Sequence, residues 1–171
     1  MYPTTSKGRI MRTIKGDLVK LAAKGDFNVI VHGCNCFNVM GAGIAAQIAK
    51  RFPEAQRIDQ LTNLGDRNKL GSASIAMVRG DHDDALMIVN AYTQYGYGRT
   101  SPAVDYDAVE QVFSTVIYNI ACLSDNIRIG IPRIGAGLAG GDWSRINKII
   151  ELELHGFDHN PNLITLVEYD G

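Results

Sequence analysis

Two short stretches of this chain share a Gly-x-Gly-x-x-Gly/Ala spacing. They are Gly41, Gly43 and Ala46 in MGAGIAAQIAKRF, and Gly135, Gly137 and Gly140 in IPRIGAGLAGGDW. Each runs from a strand-like segment into a helix-like one, so each offers backbone N–H groups at a helix N-terminus. Such a turn holds phosphate without cationic side chains. A dinucleotide fold needs the fingerprint once, directly after its first strand, with an acid closing the next strand. Here the run FNVIVH ends at His32, well before Gly41, and Asp59, near the expected separation, falls inside a helical stretch. The second loop does follow a strand, but too near the end of the sequence for another βαβ unit and a ribose acid. A nicotinamide-dependent oxidoreductase is therefore disfavoured. In one loop the glycines are explained by tight turns and close packing. Two loops at the same sheet edge point instead to a clamp on the two phosphates of one diphosphate.

The remaining segments supply the frame for such a cleft. Arg9 to Ile14 reads as a strand, Gly16-Asp17 caps a short helix over Leu18 to Ala23, and Phe27 to His32 is a buried central strand. A helix from Gly43 to Arg51 and a second one starting at Pro53 follow. Ser74 to Val78 and Ala85 to Ala91 form a pair of strands around the acidic turn GDHDD. The spacing of Val109, Val112, Phe113, Val116, Ile117 and Ile120 predicts an amphipathic helix over Asp105 to Leu123. A strand over Ile127 to Ile131, a helix over Trp143 to Leu152 and a last strand over Leu163 to Tyr169 complete the order β-α-β-α-β-β-α-β-α-β. This alternation implies an α/β fold, with helices on both faces of a mixed, largely parallel sheet. Ligands of such sheets bind at the carboxyl ends of the strands.

Composition narrows the partners. At 171 residues the chain is expected to form a single domain with a real core, and its formal net charge of -1 gives no general pull toward nucleic acid or anionic membrane. A phosphorylated ligand would have to be held by local geometry. The three cysteines, Cys34, Cys36 and Cys122, read as reduced spectator thiols, and no apolar run approaches the roughly twenty residues of a membrane span. A soluble, cytoplasmic protein is the expectation. His82, Asp83 and Asp84, and likewise His155, Asp158 and His159, carry metal-capable atoms but lie in turns away from the glycine loops, so no metal or cofactor is expected.

Gly16-Asp17 after the first strand, the run VIVHGCNCFNVMGAGIAAQIAKRFPEA and the run IPRIGAGLAGGDW together resemble the macro domain family, which binds ADP-ribose. The resemblance spans nearly the whole chain and implies a three-layer α/β/α sandwich over residues 1–171. Within the family it is most similar to the small stand-alone proteins that hydrolyse ADP-ribose 1″-phosphate to ADP-ribose and phosphate. It implies that Asp17 accepts from the adenine amino group, that Tyr169 stacks near the adenine, and that Asn35 holds the distal ribose. It further implies that Gly41, Gly43 and Ile44 wrap that ribose, while Gly135, Ala136, Gly137 and Leu138 turn amides to the diphosphate. Macro domains that remove ADP-ribose from glutamate or from DNA bases pair a lysine with an acid after the second loop's leucine. This chain has Ala139 at the second place and no lysine in the run NAYTQ. A lysine-adduct mechanism is thereby disfavoured. Removal of ADP-ribose from protein or nucleic acid, and non-catalytic reading of ADP-ribose, stand as the alternatives, with no membrane partner and nucleic acid only as an ADP-ribosylated substrate.

Two residues are candidates for the chemistry. His32 ends a buried strand at the start of the first ligand loop and titrates near neutrality, so it suits a base, acid or nucleophile, or else a structural hydrogen bond. The phosphatase resemblance tips it to catalysis. Asp142 precedes the helix from Trp143 and is foremost an N-cap, with a second use as an acid partner open. Gln94, Tyr95 and Arg99 fall in a long Tyr/Gly-rich loop expected at the cleft, and Asp105 and Asp107 open the long helix as favourable N-terminal charges.

Overall fold

A computed structural model of the protein describes residues 10–98 and 103–170. Six strands form one sheet: β1 Met11–Lys15, β2 Val29–Cys34, β3 Ala73–Arg79, β4 Ala85–Tyr92, β5 Ile129–Ile131 and β6 Ile164–Glu168. Their spatial order is β1-β6-β5-β2-β4-β3, and every neighbouring pair is parallel except the β3–β4 hairpin. The helices are α1 Leu18–Ala23, α2 Gly43–Arg51, α3 Pro53–Gln60, α4 Tyr106–Gln111, α5 Tyr118–Ala121 and α6 Trp143–Glu153. Local chemistry sets their starts. The carboxylates of Asp17, Asp105 and Asp142 accept from the backbone N–H groups of Lys20, Ala108 and Ser144 at 3.1, 3.0 and 2.9 Å. Pro53 occupies the first turn of α3, where its missing N–H costs nothing.

The sheet is buried on both faces. Val29, Val31, Val89 and Ala91 pack against Val109, Phe113, Ile117, Ile146 and Ile150, while Ile30, Ile88 and Ala76 pack against Leu18, Ala22, Ile48, Phe52 and Ala55. This is the expected three-layer sandwich around a mixed sheet. Two segments differ in detail. The central strand runs over Val29–Cys34 rather than from Phe27, whose ring instead packs over Gly130, where a Cβ would lie 2.6 Å from its Cδ2. The long helix contains a π-helical stretch, Val112–Ile117, whose inward residues Val112, Phe113 and Ile117 remain in the core. Hydrophobic spacing is satisfied either way.

The topology makes the site. β2 and β5 are parallel neighbours, pairing Val29 with Ile129 and Ile30 with Gly130. From β2 the chain crosses to α2 on one face, since Ile48 joins one cluster. From β5 it crosses to α6 on the other, since Ile146 and Ile150 join the opposite cluster. A crevice opens at the carboxyl ends of two strands whose connections diverge in this way.

Candidate functional site

That crevice is a cleft of ≈ 1080 Å³. The first glycine loop forms one wall: Gly41, Ala42, Gly43 and Ile44 line it where α2 begins. Ala42 is the N-cap and offers no side-chain hydrogen bond, so the first-turn amides of α2 are left for whatever enters the cleft. Gly43 adopts φ 57°, a left-handed conformation that brings the chain abruptly into the helix. The second loop forms the facing wall through Gly135, Gly137, Leu138 and Ala139. Its shape is held internally, with N–H groups of Ala136, Gly140 and Gly141 donating to the carbonyls of Arg133, Gly137 and Gly135 at 3.1, 3.1 and 2.7 Å. The amides of Gly135, Gly137 and Leu138 take no part in those turns. The two loops nearly touch, because a Cβ on Gly43 would stand 3.6 Å from Leu138 Cδ1.

Asn35, Gly41, Gly43, Ile44, Gly135, Gly137, Leu138 and Tyr169 are thus gathered in one cleft. Asn35 shapes its own wall: its Oδ1 accepts from the N–H groups of Phe37 (2.9 Å) and Val39 (3.4 Å), and its Nδ2 donates to the Val39 carbonyl at 2.8 Å. Tyr169 is 67% exposed, an open aromatic face at the β6 end. Three expected residues stand outside the lining. Asp17 caps α1 through Oδ1 and lies between the lining residues Gly16 and Leu18 without lining the cleft itself. Ala136 has its amide in the turn to Arg133. Asp142 is exposed, caps α6, and receives no cleft contact; its N–H donates to the Tyr106 hydroxyl at 2.9 Å. Arg99 lies outside the described residues, whereas Gln94 does line the cleft.

His32 departs most from expectation. It shares the face of Ile30, beneath α2 and α3, and is 0% exposed. Its Nε2 lies 2.7 Å from Asn90 Oδ1. Asn90 Nδ2 donates to the Ala55 carbonyl and to Ser74 Oγ, so Oδ1 is the accepting end and His32 Nε2 carries the proton. Burial lowers the imidazole pKa to about 4, against the opposing pull of the Asn90 bond. This neutral, enclosed ring does not reach the cleft. Around it runs a buried polar network that tethers the first loop. Lys69 Nζ donates to the Cys36 carbonyl at 3.0 Å and to Asn38 Oδ1 at 2.6 Å, and sits 4.7 Å above the Tyr92 ring. Tyr92 in turn donates to Asp59 Oδ1 at 2.7 Å. Burial raises the Asp59 carboxyl, with Tyr92 and Lys69 opposing it. Cys34 reaches the cleft edge, but burial, then Asp59, push its thiol well up, so it remains protonated.

Arg133 and Glu168 were not among the sequence candidates, and both line the cleft. Arg133 Nε donates to Glu168 Oε1 at 3.0 Å, and its second guanidinium nitrogen reaches the same oxygen. Their signal was positional: each stands at the carboxyl end of one of two adjacent parallel strands, β5 and β6. Among the described residues no group of His, Cys, Asp and Glu is arranged to hold a metal, and no helix is long and apolar enough to cross a membrane.

No family profile matches the chain. Individual proteins do. An uncharacterized 17.5 kDa protein of Enterobacteria phage T4 is 37% identical over 147 residues, covering 83% of this chain and 88% of that protein. The ADP-ribose 1″-phosphate phosphatase of Lodderomyces elongisporus is 24% identical over 160 residues, 90% of this chain and 98% of that protein. The DNA ADP-ribosyl glycohydrolase of Mycobacterium tuberculosis is 28% identical over 137 residues, 78% of this chain but 35% of that longer protein. Among solved structures, the macrodomain of Thermus aquaticus DarG shares the fold with a TM-score of 0.68 at 21% identity, over 94% of this chain and 98% of that one. The chain has the macro domain fold.

Proposed function

We propose that this protein binds ADP-ribose and hydrolyses ADP-ribose 1″-phosphate to ADP-ribose and inorganic phosphate. The observation that carries the reading is the pair of glycine loops that line one cleft and close on each other at Gly43 and Leu138. Arg133 is the one cationic side chain lining the cleft among the described residues and it is engaged by Glu168, which leaves backbone N–H groups as the main means of holding a diphosphate there. Resemblance to the yeast phosphatase, over nearly its full length, adds the reaction. The nucleotide runs along the cleft, with the adenine toward Tyr169 and the distal ribose toward Asn35. The terminal phosphate then lies near the uncharged groups Gln47, Gln94 and Tyr97. Water attacks phosphorus, the bond from phosphorus to the 1″-oxygen breaks, and a proton from the attacking water ends on that oxygen. Fixed orientation and preorganised amides facing the phosphoryl oxygens supply the rate. His32 holds the floor under the first loop rather than touching substrate.

The test is phosphate release from ADP-ribose 1″-phosphate without added metal, with calorimetric ADP-ribose binding on the same protein. Turnover that persists in His32→Gln, and is lost when Gly137 is replaced by a bulky residue, is the expected result. Binding without turnover reduces the protein to an ADP-ribose reader. Release of ADP-ribose from modified DNA in place of phosphate release would move it to the activity named for the mycobacterial relative.

A further inference from the structure

β3 is an edge of the sheet, and no described strand pairs with its outer side. The ladder fixes which of its groups point outward. Tyr92 N–H donates to the Ser72 carbonyl and Gly80 N–H to that of Asp84, both at 2.9 Å. With Ala73 opposite Ala91, it is then Ser74, Ala76 and Val78 that bond to β4. The N–H and C=O groups of Ala73, Ile75, Met77 and Arg79 face away from it. The side chains of those four share one face of the sheet, where Val89 lies in the core and Met87 packs against it. Ile75 stands opposite Val89 and Met77 opposite Met87, yet Ile75 is 39% and Met77 60% exposed. The apolar face thus runs on beyond the buried core and stops, uncovered, at the edge. Folded proteins shield such edges with lysine, proline, bulges or brevity. This strand has seven residues, pairs without interruption, and carries only Arg79, at its end, as a charge.

We infer that this edge is an interface for a second copy of the chain, whose own β3 pairs with it antiparallel about a two-fold axis at Ala76. The register follows from the strand itself. It sets Ile75 against Met77 of the second copy, twice over, and Arg79 against Ala73, so each outward-facing residue meets an outward-facing one. Moving the axis to Met77 would set Arg79 against Ile75 and leave Ala73 beyond the partner strand. Moving it to Ile75 would set Met77 against Ala73 and leave Arg79 beyond it. Only the axis at Ala76 pairs all four. There the opposed Ile and Met side chains carry the face of Val89 and Met87 across the junction, and no like charges in the two strands oppose each other. An unrelated extended chain could use the same N–H and C=O groups, but the self-complementary order of side chains belongs to a second copy. The product is one sheet of twice six strands. With the axis normal to that sheet, the two clefts open at opposite ends, and each, lying at β2 and β5, stays clear of the junction.

Sedimentation equilibrium of the whole chain over a roughly hundredfold range of concentration tests this. Wild type is expected to approach twice the mass of one chain as concentration rises. Met77→Pro should stay monomeric, because it removes an outward N–H and an apolar group while sparing the bonds to β4, to which Met77 does not contribute. A cooperative thermal transition shows that variant to be folded. The register has its own test, which also stands should Met77→Pro fail to fold. Ile75→Lys and Met77→Glu should each weaken association about tenfold, by standing a charge against an apolar side chain at both crossings. Combined in one chain, the two charges face each other twice across the axis, and the dissociation constant should return to within about threefold of wild type. Wild type that remains monomeric throughout, self-association that survives Met77→Pro, or a double variant that stays apart overturns the assignment.

Discussion

The two glycine loops share a spacing and line one cleft, yet they are built by opposite means. The first hangs from a buried polar network: Lys69 grips Cys36 and Asn38, the Gly65 N–H donates to Cys36 O at 2.7 Å, and Asn38 is held at φ 58°, unusual for a residue with a side chain. The second is held by its own turns and by close packing. A Cβ on Gly141 would meet Gly135 O at 2.5 Å and Val104 Cγ1 at 2.7 Å, and a Cβ on Gly135, at φ 74°, would meet Val104 Cγ2 at 2.6 Å. The same spacing of glycines therefore serves entry into a helix in one place and the absence of side chains in the other. A fingerprint in sequence reports the backbone path and not what enforces it.

Substitutions separate the two constructions. The largest effect is expected from Gly141→Val, where the contacted atoms are backbone and core rather than flexible side-chain ends. Stability should fall by about 3 kcal/mol in denaturant titration, with ADP-ribose binding lost. A near-neutral result would mean that the second loop is not packing-limited. Acid should act on the first loop instead. The folded pKa of His32, about 4, lies below its ordinary 6.5, so the unfolded chain binds the extra proton first. Its contribution is complete above about pH 6.5 and is lost as pH falls toward 4, by up to about 3 kcal/mol. Unfolding midpoints measured across that window should slope in wild type and flatten in His32→Gln. An equal slope in both would place the acid sensitivity elsewhere.

Lys69→Met should cost about 2 kcal/mol, because Cys36 O and Asn38 Oδ1 each lose a charged donor and keep only Gly65 N–H and Thr62 Oγ1 respectively. ADP-ribose affinity should drop with it, and unchanged affinity would show the network to be structural only. The smallest effect is expected at Gly41→Ala, whose Cβ would meet nothing nearer than Val39 Cγ1 at 3.9 Å. Melting should place it within about 0.5 kcal/mol of wild type. A larger loss would mean that the first loop too depends on glycine for space.

Much of this architecture could be read from residue order. Period, punctuation and capping aspartates located the helices and strands, and the paired loops located the cleft. What escaped has physical reasons. His32 sits in a strand buried on both faces, so FNVIVH has no polar alternation to reveal which side each residue takes. Its parity with Ile30, and not its type, keeps it from the cleft. Ala136 looked equivalent to its neighbours, but its amide closes a turn onto the Arg133 carbonyl while those of Gly135, Gly137 and Leu138 do not, and sequence does not say which. Arg133 and Glu168 carry no signal of their own in the sequence, and only the sheet order, with β5 beside β6, brings them together. The π-helical stretch within the long helix needs no unusual residue and leaves no trace in the spacing.

The divergence of the chain from β2 and β5 to opposite faces has a consequence for descent. Each wall of the cleft rests on a different hydrophobic cluster, the first loop on the one containing Ile48 and the second on the one containing Ile146. Substitutions that reshape one cluster can tilt or widen their own wall while the other stays in register with the sheet. Inheritance can then preserve the grip on a nucleotide and revise the distal chemistry. Relatives named for cutting a phosphate ester and for cutting a glycosidic bond to DNA, both within reach of this one sequence, are what such a scaffold would leave behind.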